Sequence, residues 1–356
     1  MSGASDAGRL EAGAPLREYW RRGGVFILMK KIIFALLALV SAAVFGADGA
    51  VKITPDDKKL VIEIDGKPFS TYFFADGDGV PYRRPFFSPV RMADGTQVTE
   101  DQTAIHSKEH PHHRSVWVAH GDVNGADHWD LSGKDKATGK PNDPKQNHIA
   151  FSKMTPNGFV EQLEWEDKEH KPLMKETRTV EILTYPDGSR AIDLKSDYTP
   201  LVDVTFGATK EAGLVAVRLV KALSKDENLS LANLDDKGGD AAVPQPPTRK
   251  GMKATWGKQA KWGDISGTID GKPYGVAIFD NPKNPRFPTN WHIRDYGLMS
   301  PNPFGLHDYD KSVDPHAGEL KAEKDKVLTF HFRVVFHPNS EADAKLDEKW
   351  AEWANK

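Results

Sequence analysis

Along most of the chain beyond residue 50, apolar and polar residues alternate with a period of two, the pattern of strands that bury one face. Lys59 to Ile64 (K-L-V-I-E-I) and Pro68 to Phe74 (P-F-S-T-Y-F-F) are β-rich runs separated by Asp65-Gly66, the dipeptide that most favours a tight hairpin. Arg84 to Val90 is punctuated by prolines and reads as an edge segment, and Ser115 to Ala119 (S-V-W-V-A) reads as a buried strand. Further strands are expected at Ile149 to Met154, Phe159 to Trp165, Met174 to Leu183, Ala191 to Tyr198, Val202 to Phe206 and Leu214 to Val220. Pro186-Asp187-Gly188 closes one of these hairpins. After a polar stretch from Leu223 to Gly251, strands are expected at Lys253 to Gly257, Ser266 to Ile269, Tyr274 to Phe279 and Val327 to Phe336. One helix is expected, over residues 340 to 355: Ser340 can cap it, and Leu346, Trp350 and Trp353 form an apolar stripe at helical spacing. Strands at this cadence, with no other helical period, indicate an all-β sandwich or barrel.

The N-terminus changes the count of residues available to that fold. Met29, Lys30 and Lys31 open a basic start, an apolar run follows from Ile32 to Phe45, and small residues stand at Gly46 and Ala47. This is the pattern of a secretory signal peptide over residues 29 to 47, and its apolar run is shorter than the roughly 20 residues of a membrane span. Residues 1 to 28 lie upstream with no periodic pattern and read as a mis-assigned start; the alternative is a cytoplasmic extension of an anchored protein. The expected domain is a single β-sandwich from residue 48 to residue 356, exported to the periplasm or secreted. Removing residues 1 to 47 takes six basic and three acidic side chains from totals of 48 and 51, leaving a net charge of about −6. An acidic surface gains nothing from counterion release on phosphates, which argues against nucleic acid as partner. The chain has no cysteine, so disulfides, thiolate catalysis and zinc-thiolate sites are excluded; His, Asp and Glu are the remaining strong metal ligands.

Six of the thirteen histidines fall between His106 and Trp129, interleaved with Arg114, Trp117, Asp122, Asn124 and Asp127. A run that offers imidazole, carboxylate, guanidinium and indole together supplies proton carriers, possible metal ligands and a stacking surface. In an extended chain His110 and His112 share a face and can share a metal, whereas His112 and His113 point apart. His112 and His120 would stand about 26 Å apart along an unbroken strand and so mark its two ends. The plain alternative is that these imidazoles are hydrogen-bonded at a sheet rim. Gly121 to Asp127 offers oxygen ligands on a glycine turn but lacks the terminal glutamate of a calcium loop, and reads better as a turn held by Asp122 and Asn124.

Two further segments carry chemistry. Phe206 to Gly213 (F-G-A-T-K-E-A-G) places Lys210 and Glu211 between strands, where Glu211 can accept a proton or bind a metal if it points inward; a solvated turn is the alternative. Asn284 to Gly305 (N-P-R-F-P-T-N-W-H-I-R-D-Y-G-L-M-S-P-N-P-F-G) is stiffened by four prolines around Trp291, His292, Arg294, Tyr296 and Asn302. If it is extended, His292, Arg294 and Tyr296 share a face that supplies a base, a charge clamp and a proton donor; otherwise it is a rigid loop with buried aromatics.

The phrases H-P-H-H-R-S-V-W-V-A-H-G-D-V-N-G-A-D-H-W, F-G-A-T-K-E-A-G and W-H-I-R-D-Y-G-L-M-S-P-N-P-F-G, in this order, resemble the family labelled methane oxygenase PmoA-like, otherwise treated as a domain of unknown function. The resemblance spans nearly the whole mature chain, with Ala212 standing where relatives are expected to carry glycine. The oxygenase name transfers badly, because the membrane subunit that bears it is integral and helical whereas this chain reads as β. What the resemblance implies by association is a setting in polysaccharide-degrading bacteria, beside sugar oxidoreductases and enzymes that cleave keto-sugars.

The expected fold is therefore all-β, a large antiparallel β-sandwich, with the galactose-mutarotase-like supersandwich as its leading form and a C-terminal helix. The expected function is carbohydrate-active: hydrolytic, eliminative or proton-transfer chemistry on a sugar or oxidised sugar. His112, His113, His120, Glu211, His292 and Tyr296 are the expected catalytic residues. Arg114, Trp117, Asp122, Asn124, Trp129, Lys210, Trp291, Arg294 and Asn302 are expected to bind substrate, with the tryptophans stacking on the pyranose. One divalent metal ion is an open expectation, with His110 and His112 as its ligands. The alternatives are a glycan-binding protein without catalysis and a copper-dependent redox protein.

Overall fold

The computed structural model describes residues 49–76, 82–101, 110–135, 138–232 and 248–356, which form one unit from Gly49 onward. The upstream segment 1 to 28, the signal sequence 29 to 47 and His106 lie outside the described residues. Two large sheets carry the fold. In spatial order the first holds β1 (Val51–Pro55), β2 (Lys59–Ile64), β3 (Lys67–Phe73), β4 (Phe86–Phe87), β5 (Val116–Trp117), β11 (Ala216–Arg218), β17 (Leu298–Pro301) and β16 (Trp291–Arg294). The second runs β13 (Thr248–Lys250), β12 (Leu229–Ala232), β14 (Trp262–Ile269), β15 (Lys272–Asp280), β19 (Leu328–His337), β9 (Arg190–Pro200), β8 (Pro172–Thr184), β7 (Gly158–Glu166) and β6 (Gln146–Thr155). A small ribbon pairs β10 (Val204–Phe206) with β18 (Leu320–Ala322). Every strand pair is antiparallel.

Local chemistry sets the hairpins. Asp65 and Gly66 both take positive φ, 54° and 69°, the backbone of the tight turn that matches strand twist and joins β2 to β3. The two sheets then close on each other through aromatic contacts: Phe69 on β3 meets Phe336 on β19 edge to face, and Tyr72 on β3 meets Phe159 on β7. A buried polar network sits in the same layer. Arg178 donates to Glu176 at 2.8 Å and to the Tyr72 hydroxyl at 3.1 Å, while Tyr72 donates to Glu161.

Alternation along the first sheet gives it a second, smaller core on its other face. Leu60, Ile62, Val116 and Val217 point into the main core, whereas Phe86, Trp117, Ala216 and Leu298 gather with Ala119 and Trp129 on the opposite side. That secondary cluster is the floor on which the candidate site stands.

The expected sandwich is present, and most strands fall where the alternation placed them. Several segments differ, among them the polar stretch Leu223 to Gly251, which carries β12 and β13. β4 is not an edge strand: it is paired on both sides, to β3 and β5, because the prolines at Pro85 and Pro89 flank the two paired residues. Lys253 to Gly257 is not a strand, since Met252–Thr255 forms a short helix, α1. A second short helix, α2, spans Leu306–Tyr309. The C-terminal helix α3 covers only Leu346–Ala354, because Lys345 adopts a left-handed conformation (φ 51°) that stops it from extending back to Ser340. Its apolar stripe does pack: Leu346 and Trp353 are buried, and the Trp350 indole donates to the Asp280 carbonyl at 2.9 Å. Among the described residues no helix is long and apolar enough to cross a membrane.

Candidate functional site

Strand order explains why three remote segments meet. β5, β11, β17 and β16 are consecutive neighbours in the first sheet, so the histidine turn ahead of β5, the Arg218 end of β11 and the hairpin between β16 and β17 come together at one place. Tyr296 occupies that hairpin turn, which the Gly297 N–H closes by donating to the Arg294 carbonyl at 3.0 Å.

The segment His110 to His113 is a turn, not an extended chain. The His113 N–H donates to the His110 carbonyl at 3.1 Å, and Ser115 enters β5 through a left-handed conformation (φ 64°). This corrects the expectation that His112 and His113 point apart: the turn gathers His110, His112 and His113 so that one ring nitrogen of each lies within 4.8 Å of the others. The turn is braced from below by Arg84, a buried guanidinium that donates to the carbonyls of His112 and His128. Burial lowers the pKa of Arg84 to about 9.

His113 is 2% exposed, and its ring lies flat against Trp117 with centroids 5.4 Å apart. Arg218 donates to its Nδ1 at 3.1 Å. Burial, reinforced by the nearby His112, Arg218, His110 and His292, pushes its pKa well below the usual imidazole value. His113 is accordingly a neutral ring at physiological pH.

Tyr296 is the hub of the surface. The His110 ring stacks on it at 5.0 Å, Arg218 covers it at 4.9 Å and Arg294 at 5.2 Å. Burial raises its phenol pKa, and the charge of Glu211 adds to the rise against the opposing pull of Arg294 and Arg218. Glu211 pairs with Lys210 at 3.5 Å, both half-exposed. Arg294 also lies over Trp256 at 5.0 Å, and the two line an open cavity of about 440 Å³ with Met252 and Lys253.

The other expected site residues are elsewhere in role. Trp117, Trp129 and Trp291 are at most 1% exposed, so none offers a face to a pyranose; the first two build the secondary core, and the Trp291 indole donates to the Ala260 carbonyl at 3.0 Å. His120 is fully buried against Phe206 and Phe304, with its Nε2 bonded to the Gly207 carbonyl, and burial lowers its pKa to about 3. His292 is likewise buried, Nδ1 bonded to the Lys210 carbonyl at 2.6 Å, its pKa lowered to about 3. Asn302 is buried, donates to the carbonyls of Thr209 and Lys210, and accepts from the N–H groups of Phe304 and Gly305. His292, through Nδ1, and Asn302 therefore hold the backbone at Thr209 and Lys210 in place, and both side chains are buried away from the surface. Asp122 and Asn124 form a turn, Asp122 accepting from the Gly125 N–H at 2.8 Å and Asn124 bridging to residues 203 and 205. Arg114 is buried over the Phe86 ring at 5.4 Å.

Gly213 shows how closely these segments approach. A Cβ there would lie 1.8 Å from Ser300 Oγ, which itself donates to the carbonyls of Ala212 and Val215. Two residues of the site had no sequence signal. Arg218 closes an ordinary apolar strand, and Trp256 sits in a segment expected to be extended; only the register of β5, β11 and β17 and the short helix α1 reveal them.

The structure thus defines an antiparallel two-sheet protein with a polar, histidine-rich surface at one end of its first sheet. By sequence the chain belongs to the family of unknown function DUF6807, which matches residues 59–351. No protein of curated function matches the chain. In fold it is similar to a heparan sulfate lyase HepC mutant from Pedobacter heparinus, at 8% identity and a TM-score of 0.37 over 90% of this chain; it spans 42% of the lyase's length. It is also similar to a galactose mutarotase related enzyme from Lactobacillus acidophilus (9% identity, TM-score 0.35, 82% of this chain and 98% of that one). A GalM/aldose epimerase homologue from C. elegans gives 8% identity and a TM-score of 0.31 over 82% of this chain and 100% of that one.

Proposed function

We propose that the protein is an exported carbohydrate-active enzyme that moves protons on a sugar or oxidised sugar, with hydrolytic or eliminative outcome, at the surface shared by the His110–His113 turn, Glu211 and Tyr296. What supports this reading is the meeting of two half-buried imidazoles, a phenol and two guanidinium groups from three distant segments, with the charge of Glu211 felt at the phenol. In this reading Tyr296, its pKa raised, stays protonated at neutral pH and serves as proton donor. The imidazoles of the His110–His113 turn accept protons, and Arg218 and Arg294 hold an anionic or enolate oxygen as charge develops. Export rests on the signal pattern of residues 29 to 47.

The glycan-binding alternative needs exposed aromatic faces in a strip, and the three tryptophans expected to supply one are buried. The oxygenase label of the resemblance is not adopted, since its helical namesake has no counterpart in two antiparallel sheets. The test is a turnover screen of neutral, uronic and keto-sugar glycosides. Turnover by the natural sequence that falls at least about 100-fold in Tyr296→Phe supports the reading, on the scale typical for loss of a general acid. Turnover unchanged in Tyr296→Phe, or binding to glycans without any turnover, contradicts it.

A further inference from the structure

We propose that His110, His112 and His113 bind one divalent transition-metal ion, with zinc as the reference ion, on the open surface beside Tyr296. The site rests on geometry and stands apart from the carbohydrate reading. Three imidazoles holding an ion tetrahedrally at about 2.0–2.1 Å place their nitrogens about 3.4 Å from one another, so rings already within 4.8 Å need only a small inward rotation. Among the described residues this is the one cluster of three or more His, Asp or Glu ligand atoms at such separations.

The rings are positioned rather than merely adjacent. The turn's own hydrogen bond fixes His113 against His110, Arg84 clamps the His112 carbonyl, Trp117 backs the His113 ring and Tyr296 backs that of His110. Such outer contacts are what orient ligands around a metal. Three nitrogen donors without a carboxylate select a borderline ion such as zinc, copper or nickel over magnesium or calcium, which require oxygen. Three protein ligands also leave a position for water or a substrate oxygen, as in metal sites that do chemistry. His110 and His112 are the half-exposed members, so that position opens on solvent. Ligation of His113 through Nε2 requires the ring proton to stand on Nδ1, so the Arg218 bond to Nδ1 opens as the ion arrives.

The test uses the full chain made without a polyhistidine tag, stripped with chelator and titrated with zinc chloride. Calorimetry and elemental analysis after gel filtration are expected to give one ion per chain at micromolar affinity or tighter, with a raised thermal midpoint. His110→Ala and His112→Ala are each expected to weaken binding at least about tenfold, as loss of a ligand requires, whereas His316→Ala, an exposed histidine elsewhere, leaves it unchanged. Cobalt substitution supplies a second readout, a visible absorption band that disappears in the same two variants. The proposal is overturned by no stoichiometric uptake, or by uptake that persists unchanged in the folded His110→Ala/His112→Ala double variant. A protein that turns over a sugar yet takes no zinc sinks the metal site alone; one that binds zinc and acts on no sugar sinks the enzyme reading alone.

Discussion

His112 and His120 belong to the same short run of sequence, yet the structure gives them opposite lives. His112 sits half-exposed in a turn, its backbone carbonyl accepting from Arg84 and its ring against those of His110 and His113. His120, past β5, is fully buried, with its ring bonded to the Gly207 carbonyl. The same contrast divides Tyr296 from His292 on the β16–β17 hairpin: the tyrosine faces the cluster, and the histidine latches the Lys210 carbonyl from beneath. Residue type does not decide which ring reaches the surface; strand register and burial do. Histidine density thus marks two things at once, a polar surface and the scaffold that holds it.

Variants separate the two. The largest effect is expected for Trp117→Ala, which empties the secondary core beneath the site: about 3–5 kcal/mol of stability lost in urea unfolding, and less than about 1 kcal/mol would contradict that core's role. Asn302→Ala strips the Thr209 carbonyl and the N–H groups of Phe304 and Gly305 of their buried partner, leaves His292 alone on the Lys210 carbonyl, and is expected to cost about 2–3 kcal/mol, with activity lost because the Lys210-Glu211 segment is no longer held. His292→Ala should likewise lower the thermal midpoint, unlike a surface catalytic residue. Should either leave stability untouched, the latch account fails.

Acid supplies the next comparison. His120, His128 and His292 are held by burial at a pKa of about 3, against 6.5 for the free side chain. As pH falls the unfolded chain takes up these protons first, so the stability they confer is complete above pH 6.5 and lost progressively toward pH 3. Each contributes a slope of up to about 1.4 kcal/mol per pH unit in that window. Unfolding measured from pH 7 to 4.5 should show this fall, and His120→Asn should flatten it by about one group's share; an unchanged slope argues that His120 is not buried neutral. The smallest stability effect belongs to His112→Ala, within about 0.5 kcal/mol, as for surface positions, while turnover is lost.

Much of this was legible in the sequence. Period-two alternation and the Asp65-Gly66 and Pro186-Asp187-Gly188 turns located most strands, and the three dense motifs are the segments that meet. Orientation was not legible. Nothing in H-P-H-H-R-S-V-W tells that a left-handed Ser115 folds the histidines into a turn, or that Trp117 faces the secondary core rather than solvent. Pairing of β5 with β11 joins residues about a hundred positions apart, and that register alone brings Arg218 to His113. Trp256 was missed because α1 is a single turn, too short to leave a helical period.

The most direct measurement follows the imidazoles themselves, by nuclear magnetic resonance of protein labelled at histidine, during titration with the sugar that the turnover screen selects. Saturating ligand is expected to shift the ring signals of His110, His112 and His113, with those of His120, His128 and His292 unmoved. Shifts confined to the buried three, or none at the turn, would contradict a site on the His110–His113 surface.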